Sequence, residues 1–255
     1  MILNTPIETM LAQARENLSR GLPMFVGQPR HLGSALVIGG GPSLNDTLPK
    51  LRFRRNWGGT IFAVGNTSDW LIKCGLYPDF HVLLDARPEN VEFVRNPVKG
   101  VQYLVAAQCH PSVFQALEGY DVVVWVADVE GMRSLIETHE DKPIVLVGGG
   151  GTVGLKAMML AYLWGFRDIR LFGFDSSYLN GEHHAYPQEL NDGQTITEIE
   201  VDGETFTCSP WMEHQAQDFT NDARVLMKNG CRLEVYGAGL IPTLFSKLQR
   251  SKHAA

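Results

Sequence analysis

This chain of 255 residues lacks several features, and each absence removes a class of function. It has no stretch of about 20 apolar residues, the length a membrane-spanning helix requires. Met1 to Arg20 hold no continuous apolar core of the signal-peptide kind. A cytoplasmic protein with no membrane partner is the expectation. The four cysteines, Cys74, Cys109, Cys208 and Cys231, form no C-x-x-C pair and no zinc-ligand spacing, which fits a reduced compartment. Positive charge is scarce: 22 Lys and Arg stand against 28 Asp and Glu, for a net charge of −6. That balance argues against a nucleic-acid partner. The glycine run at 39–41 is not a G-x-G-x-x-G fingerprint and no Gly-Lys-Ser/Thr occurs, so the familiar dinucleotide and P-loop readings are disfavoured. A Tyr-x-x-x-Lys pair is missing too, which disfavours an NAD-linked reductase.

What is present is an ordinary globular composition, 44% hydrophobic and 20% charged, long enough for one good core. From Ser34 onward, short β-like runs alternate with helical stretches. The strand candidates are Ala35–Ile38, Thr60–Val64, Phe80–Leu84, Val101–Ala106, Val122–Val126, Ile144–Val147, Ile169–Phe172 and Arg232–Tyr236. Several are continuous Val/Ile/Leu runs, as parallel strands covered on both faces require. Helices are predicted at Thr67–Cys74, Pro111–Leu117, Gly131–Thr138, Thr152–Trp164, Trp211–Lys228 and Pro242–Arg250. The pattern predicts an α/β fold, a Rossmann-like doubly wound and mostly parallel sheet. An amphipathic helix within Thr5–Leu18 makes residues 1–33 an N-terminal helical extension, and 34–255 form a single domain.

Residues 176–210 interrupt the rhythm with a polar stretch too long for a plain connection. Inside it, Thr195–Val201 and Glu204–Cys208 alternate around Asp202-Gly203, a hairpin signal. The expectation is a lid or hairpin insertion rising over the carboxyl edge of the sheet.

Two glycine-rich elbows follow strand candidates: Gly39-Gly40-Gly41-Pro42-Ser43 and Gly148-Gly149-Gly150-Gly151-Thr152. The second opens into a clear helix, and the first into a shorter helical pattern. A strand, a glycine turn and a helix start gather backbone N–H groups and a positive dipole end, which suits a phosphate. The alternative is that the glycines only permit tight turns and close packing. Asn66, Asp85 and Asp175 stand where strands should end, the edge at which open α/β sheets bind ligands. Such a carboxylate can hold Mg²⁺, grip a ribose or act as a base, and the plainer role is a helix N-cap. His183 and His184 in the insertion, and His214 at the start of a helix, are candidate acid/base or phosphate contacts, with surface exposure as the plain reading.

Gly-Gly-Gly-Pro-Ser-Leu at 39–44, Tyr77-Pro78-Asp79-Phe80 leading to Asp85, Gly151-Thr152-Val153 before a helix, and Gly173-Phe174-Asp175 together resemble a known family. It is the 6-hydroxymethylpterin diphosphokinase MptE-like family, which includes the catalytic-type region of bacterial Maf motility accessory factors. The layout is more distantly similar to bacterial sialyltransferases with a Rossmann-like domain. The resemblance implies a nucleotide-dependent transferase moving a diphosphate from ATP, with Mg²⁺, to a small pterin-like hydroxymethyl acceptor. Gly39, Gly40, Gly41, Pro42 and Ser43 would meet phosphates, Asn66 and Asp85 nucleotide or metal, and Gly150, Gly151 and Thr152 the nucleotide pocket. Asp175 would face the reacting centre and share the metal. The sialyltransferase-like alternative implies a CMP-sugar donor, usually without metal, with His214 near the position of the general base. A third alternative is a nucleotide-binding accessory module without chemistry. A homo-oligomer is compatible with all three.

Overall fold

β1 (Ser34–Ile38) and β2 (Thr60–Val64) show why these strands read as unbroken apolar runs. Successive side chains point to opposite faces of a sheet. Ala35, Val37, Phe62 and Val64 enter one core, while Leu36, Ile38, Ile61 and Ala63 enter a second core on the other face. Both faces are dry, so no polar alternation survives.

The computed structural model describes residues 4–137, 144–188 and 193–253, with side-chain detail to residue 250. Expectations that fall on 1–3, on Thr138, on 189–192 of the insertion and on 254–255 lie outside the described residues. β1 and β2 continue into β3 (Phe80–Leu83), β4 (Gln102–Ala106), β5 (Asp121–Ala127), β6 (Leu146–Val147), β7 (Asp168–Phe172) and β10 (Arg232–Tyr236). The order across the sheet is β10-β7-β1-β2-β3-β4-β5-β6, and every pairing is parallel. The chain winds outward from β1 to β6, then returns to the far side of β1. The switch point therefore lies between β1 and β7, where open α/β sheets hold ligands. This is the Rossmann-like, doubly wound α/β fold the sequence predicts.

The return is made by α6 (Val153–Leu163), which packs against β1, β2, β3, β6 and β7. Leu155 and Met158 of its apolar stripe are fully buried, but so are Lys156, Ala157, Leu160 and Ala161. α6 is central rather than amphipathic, and this forces Lys156 into the interior. α2 (Leu44–Asn56) is longer than its sequence pattern suggests and continues past Pro49. Only Leu44 and Leu51 of it are fully buried, so it carries little apolar periodicity. α3 (Thr67–Lys73), α4 (Pro111–Ala116) and α5 (Met132–Glu137) match their predicted positions.

α1 (Ile7–Leu18) buries Met10, Ala14 and Leu18 in the larger core, and Phe25 N donates to Val124 O across 2.7 Å. The N-terminal stretch thus extends the body of the sheet. In the insertion, β8 (Thr197–Val201) and β9 (Glu204–Cys208) form the predicted hairpin, with Asp202 and Gly203 both at positive φ in its turn. The hairpin leans on α8 (Leu240–His253) rather than covering the sheet edge: Asp202 pairs with Lys247 and Arg250. That corrects the expectation that the whole insertion forms a lid. α7 (Pro210–Lys228) follows it. Among the described residues no helix is long and apolar enough to cross a membrane.

Candidate functional site

A cavity of about 490 Å³ runs along the carboxyl ends of the strands. Gly39, Gly40, Gly41, Asn66, Asp85, Gly151, Thr152, Asp175, His183 and His184 all line it. Pro42, Ser43 and Gly150 are not in its wall, and His214 is exposed on α7. The structure thus brings together most of the candidates and leaves His214 outside, because its place on α7 faces solvent.

The first elbow is packed onto the end of β7. Gly39 N donates to Phe172 O at 2.8 Å and Gly41 N to Gly173 O at 2.9 Å. Asp175, 2% exposed, accepts from Ser43 N and Ser43 Oγ, each at 2.6 Å. A Cβ on Gly39 would stand 2.5 Å from Gly173 O, and one on Gly41 2.7 Å from the Asp175 carboxyl carbon. These glycines are required by close approach. Burial pushes the Asp175 carboxyl up to about 6, against the pull of its two Ser43 hydrogen bonds.

Two amides of the second elbow are taken by carboxylates from α7. Gly150 N donates to Asp222 Oδ2 at 2.8 Å and Gly151 N to Asp218 Oδ2 at 3.4 Å. Its carbonyls converge on Lys156, 1% exposed, whose Nζ donates to Val147, Gly148 and Gly149 O at 2.9, 3.1 and 3.2 Å. Burial lowers the Lys156 ammonium and raises the Asp222 carboxyl from their ordinary values. Most of the elbow amides expected to meet a phosphate are therefore engaged within the protein. The amides of Gly39, Gly41, Ser43, Gly150 and Gly151 are already donated within the protein. In the first turn of α6, Val153 and Gly154, whose N–H groups have no intrahelical partner, line the cavity, and Thr152 Oγ1 caps Leu155 N.

Residues 183–186 form a strap across the first elbow. Ala185 N donates to Gly40 O at 2.9 Å, and Asn45 Nδ2 to Ala185 O at 3.0 Å. Tyr186 Oη donates to Asn66 Oδ1 at 2.8 Å and lies 2.8 Å from Thr67 Oγ1. Asn66 thus serves the strap, and its side chain does not cap α3. His183 Nδ1 and His184 Nδ1 lie 2.5 Å apart, so one is donor and the other acceptor. Beneath, His81 Nε2 meets Gly65 O at 2.6 Å, and burial lowers its imidazole to about 4. A neutral His81 therefore donates and holds that loop.

The donor set fits Mg²⁺ poorly. Asp85 is paired with Arg87 through Nε and Nη2 and accepts from Asn4 Nδ2, while both Asp175 oxygens are held by Ser43. Among the described residues no three His, Cys, Asp or Glu side chains converge on one point. Asp85 and Asp175, the expected metal ligands, are engaged by Arg87 and Asn4 and by Ser43 respectively.

Sequence reasoning overlooked Lys156, Asp218, Asp222, Tyr186 and Gln108. A lone charge inside Val-Gly-Leu-Lys-Ala-Met-Met-Leu is a signal for the first, and i,i+4 spacing on one helix for the acids. Gln108 follows a strand end, the same logic that singled out Asn66. Asp79 of the Tyr-Pro-Asp-Phe motif is a fold element: it accepts from Ile61 N at 2.7 Å and from Arg55, at the amino end of β3.

A doubly wound parallel sheet, with a cavity along its carboxyl edge at the switch point, defines a protein of the Rossmann-like class. The chain belongs to the 6-hydroxymethylpterin diphosphokinase MptE-like family, whose sequence profile matches residues 8–181. Among solved structures it is similar to the Maf glycosyltransferase from Magnetospirillum magneticum AMB-1, at 16% identity and a TM-score of 0.70. That match covers 94% of this chain and 39% of the other, so this chain spans well under half of that protein's length. A mammalian sialyltransferase matches at 10% identity and a TM-score of 0.47, over 89% of this chain and 79% of its own. No curated protein matches. The names carried by the family and by the Maf structure are those of transferases.

Proposed function

We propose that this protein is a nucleotide-dependent transferase whose donor phosphate sits at the N-terminus of α6. The observation that carries the reading is the cavity wall formed by Thr152, Val153 and Gly154, where first-turn amides and the helix dipole meet the carboxyl edge. Of the transfers considered, glycosyl transfer from a CMP-sugar suits the donor set, because it asks for no protein-bound metal. The acceptor hydroxyl oxygen attacks the anomeric carbon, and the bond from that carbon to the donor phosphate breaks. CMP leaves with the electron pair, and an imidazole of the His183–His184 pair takes the hydroxyl proton. Backbone amides of α6 stabilise the departing phosphate. The protein named Maf glycosyltransferase shares the fold, and its activity enters only as part of this proposal.

Diphosphoryl transfer from ATP to a hydroxymethyl acceptor is the second reading, favoured by the family description over residues 8–181. A thermal-shift panel of ATP, CTP, CMP and CMP-sialic acid, each with and without Mg²⁺, separates them. At about 100 times its dissociation constant a ligand adds roughly 2.7 kcal/mol, or about 5–10 °C for a domain of this size. Stabilisation by CMP species regardless of Mg²⁺ is expected. Stabilisation by ATP only with Mg²⁺ would transfer the assignment to diphosphoryl transfer. Silence across the panel would leave the nucleotide-dependent reading without support and favour an accessory module.

A further inference from the structure

The cavity extends along the strand ends to where β3, β4 and β5 terminate. Its walls there are largely apolar, with Met10, Leu83, Val113 and Ala127 contributing. Gln108, just past β4, is set among them and is 3% exposed. Its Oε1 is shielded from solvent and has no hydrogen-bond partner among the described residues. Buried polar atoms are normally paired, and leaving one unpaired is costly. The backbone on either side is fixed: Asn17 Nδ2, reaching from α1, donates to Ala107 O and Cys109 O, each at 2.8 Å. A buried asparagine thus holds the peptide units that present Gln108, while the terminal amide torsion stays soft enough to turn Oε1 toward a ligand.

We propose that Gln108 is the specificity residue for a planar heterocycle bound at this end, accepting from the amino or ring N–H edge of the base. Apolar walls with an unpaired buried amide suit a flat ring that needs one polar edge fixed, and the other polar groups past β3, Asp85, Arg87 and Asn4, are already paired with one another; glutamine pairs in this way with amino-bearing bases. With the phosphate at α6 and the base at Gln108, the ligand lies along the strand ends. This inference rests on the nucleotide reading above.

The test uses Gln108→Met in the full chain, read two ways. Without ligand, the variant is expected to melt at or above the wild-type temperature, because it removes an unpaired buried acceptor. A clearly lower melting temperature would overturn the proposal by showing that Oε1 has a partner. By calorimetry, CMP and AMP serve as probes and ribose 5-phosphate as the base-free control. The tighter of the two nucleotides should weaken tenfold or more in the variant, with ribose 5-phosphate unchanged. Unchanged nucleotide affinity, or an equal loss for ribose 5-phosphate, overturns the role of Gln108 while leaving the nucleotide reading intact. Wild-type protein that binds neither nucleotide overturns both.

Discussion

Asp175→Ala is expected to lower the unfolding free energy by about 2–4 kcal/mol, because it leaves two buried donors, Ser43 N–H and Ser43 Oγ–H, unpaired at roughly 1–3 kcal/mol each. For a domain of this size the melting temperature should fall by roughly 5–15 °C. The loss reaches the cavity, since Asp175 joins the ends of β1 and β7 at the switch point and Gly41 packs against its carboxyl group. Nucleotide binding should fall with it. Asp175→Asn behaves differently. Its amide oxygen can accept from Ser43 N and its amide nitrogen can donate to Ser43 Oγ, so the fold is retained.

The two proteins should also diverge with pH in a direction that can be worked out. The folded Asp175 carboxyl titrates at about 6, above its ordinary 3.8, because burial disfavours the charge. Between these values the native state binds a proton that the unfolded chain does not. Wild type therefore loses this contribution as pH rises from 3.8 to about 6. The Asn variant has no such group, so its stability relative to wild type should climb over that window. His81 works with the opposite sign, because its folded value of about 4 lies below 6.5. Both proteins carry it, and it cancels in the difference. Urea denaturation at pH 4, 5, 6 and 7 measures the curve. A flat difference would show that Asp175 is not buried as a carboxylate.

The sheet was legible because its strands are covered on both faces. Runs such as Ala35–Ile38 and Ile169–Phe172 carry the signal locally. The glycine elbows were legible as places but not as devices. Their partners lie far along the chain: Asp175 is 132 residues from Ser43, and Asp222 is 72 from Gly150. No local pattern announces such a pairing, so an amide that looked free for phosphate was already donated. His214 failed for a related reason. Its neighbours on α7, Met212 and Ala216, face the core, and the helix turns the histidine outward. His183 and His184 could be placed in the cavity only once the strap over Gly40 was known.

Lys156→Met is the substitution expected to damage the protein most, although it replaces a charge with an apolar side chain of similar length in an apolar helix. Lys156 balances the second elbow from one side while Asp218 and Asp222 balance it from the other. Its ammonium takes the carbonyls of Val147, Gly148 and Gly149, and the carboxylates take the amides of Gly150 and Gly151. Removing it leaves three converging carbonyls without a donor and takes a positive charge from the neighbourhood of the half-buried Asp222. Leaving three buried carbonyls unpaired at roughly 1–3 kcal/mol each puts the cost at about 3–5 kcal/mol once the site relaxes. The melting temperature should fall by roughly 6–20 °C. The cause can be separated from simple loss of packing by adding Asp222→Asn. If the charges act as a unit, the double variant should be destabilised by less than the sum of the single ones. Strict additivity would show that Lys156 supports the elbow by its carbonyl contacts alone. In either case the first turn of α6 begins at this elbow, so a protein that still folds without Lys156 should lose nucleotide affinity at Val153 and Gly154. The backbone at Gln108, held by Asn17 of α1, should keep its geometry.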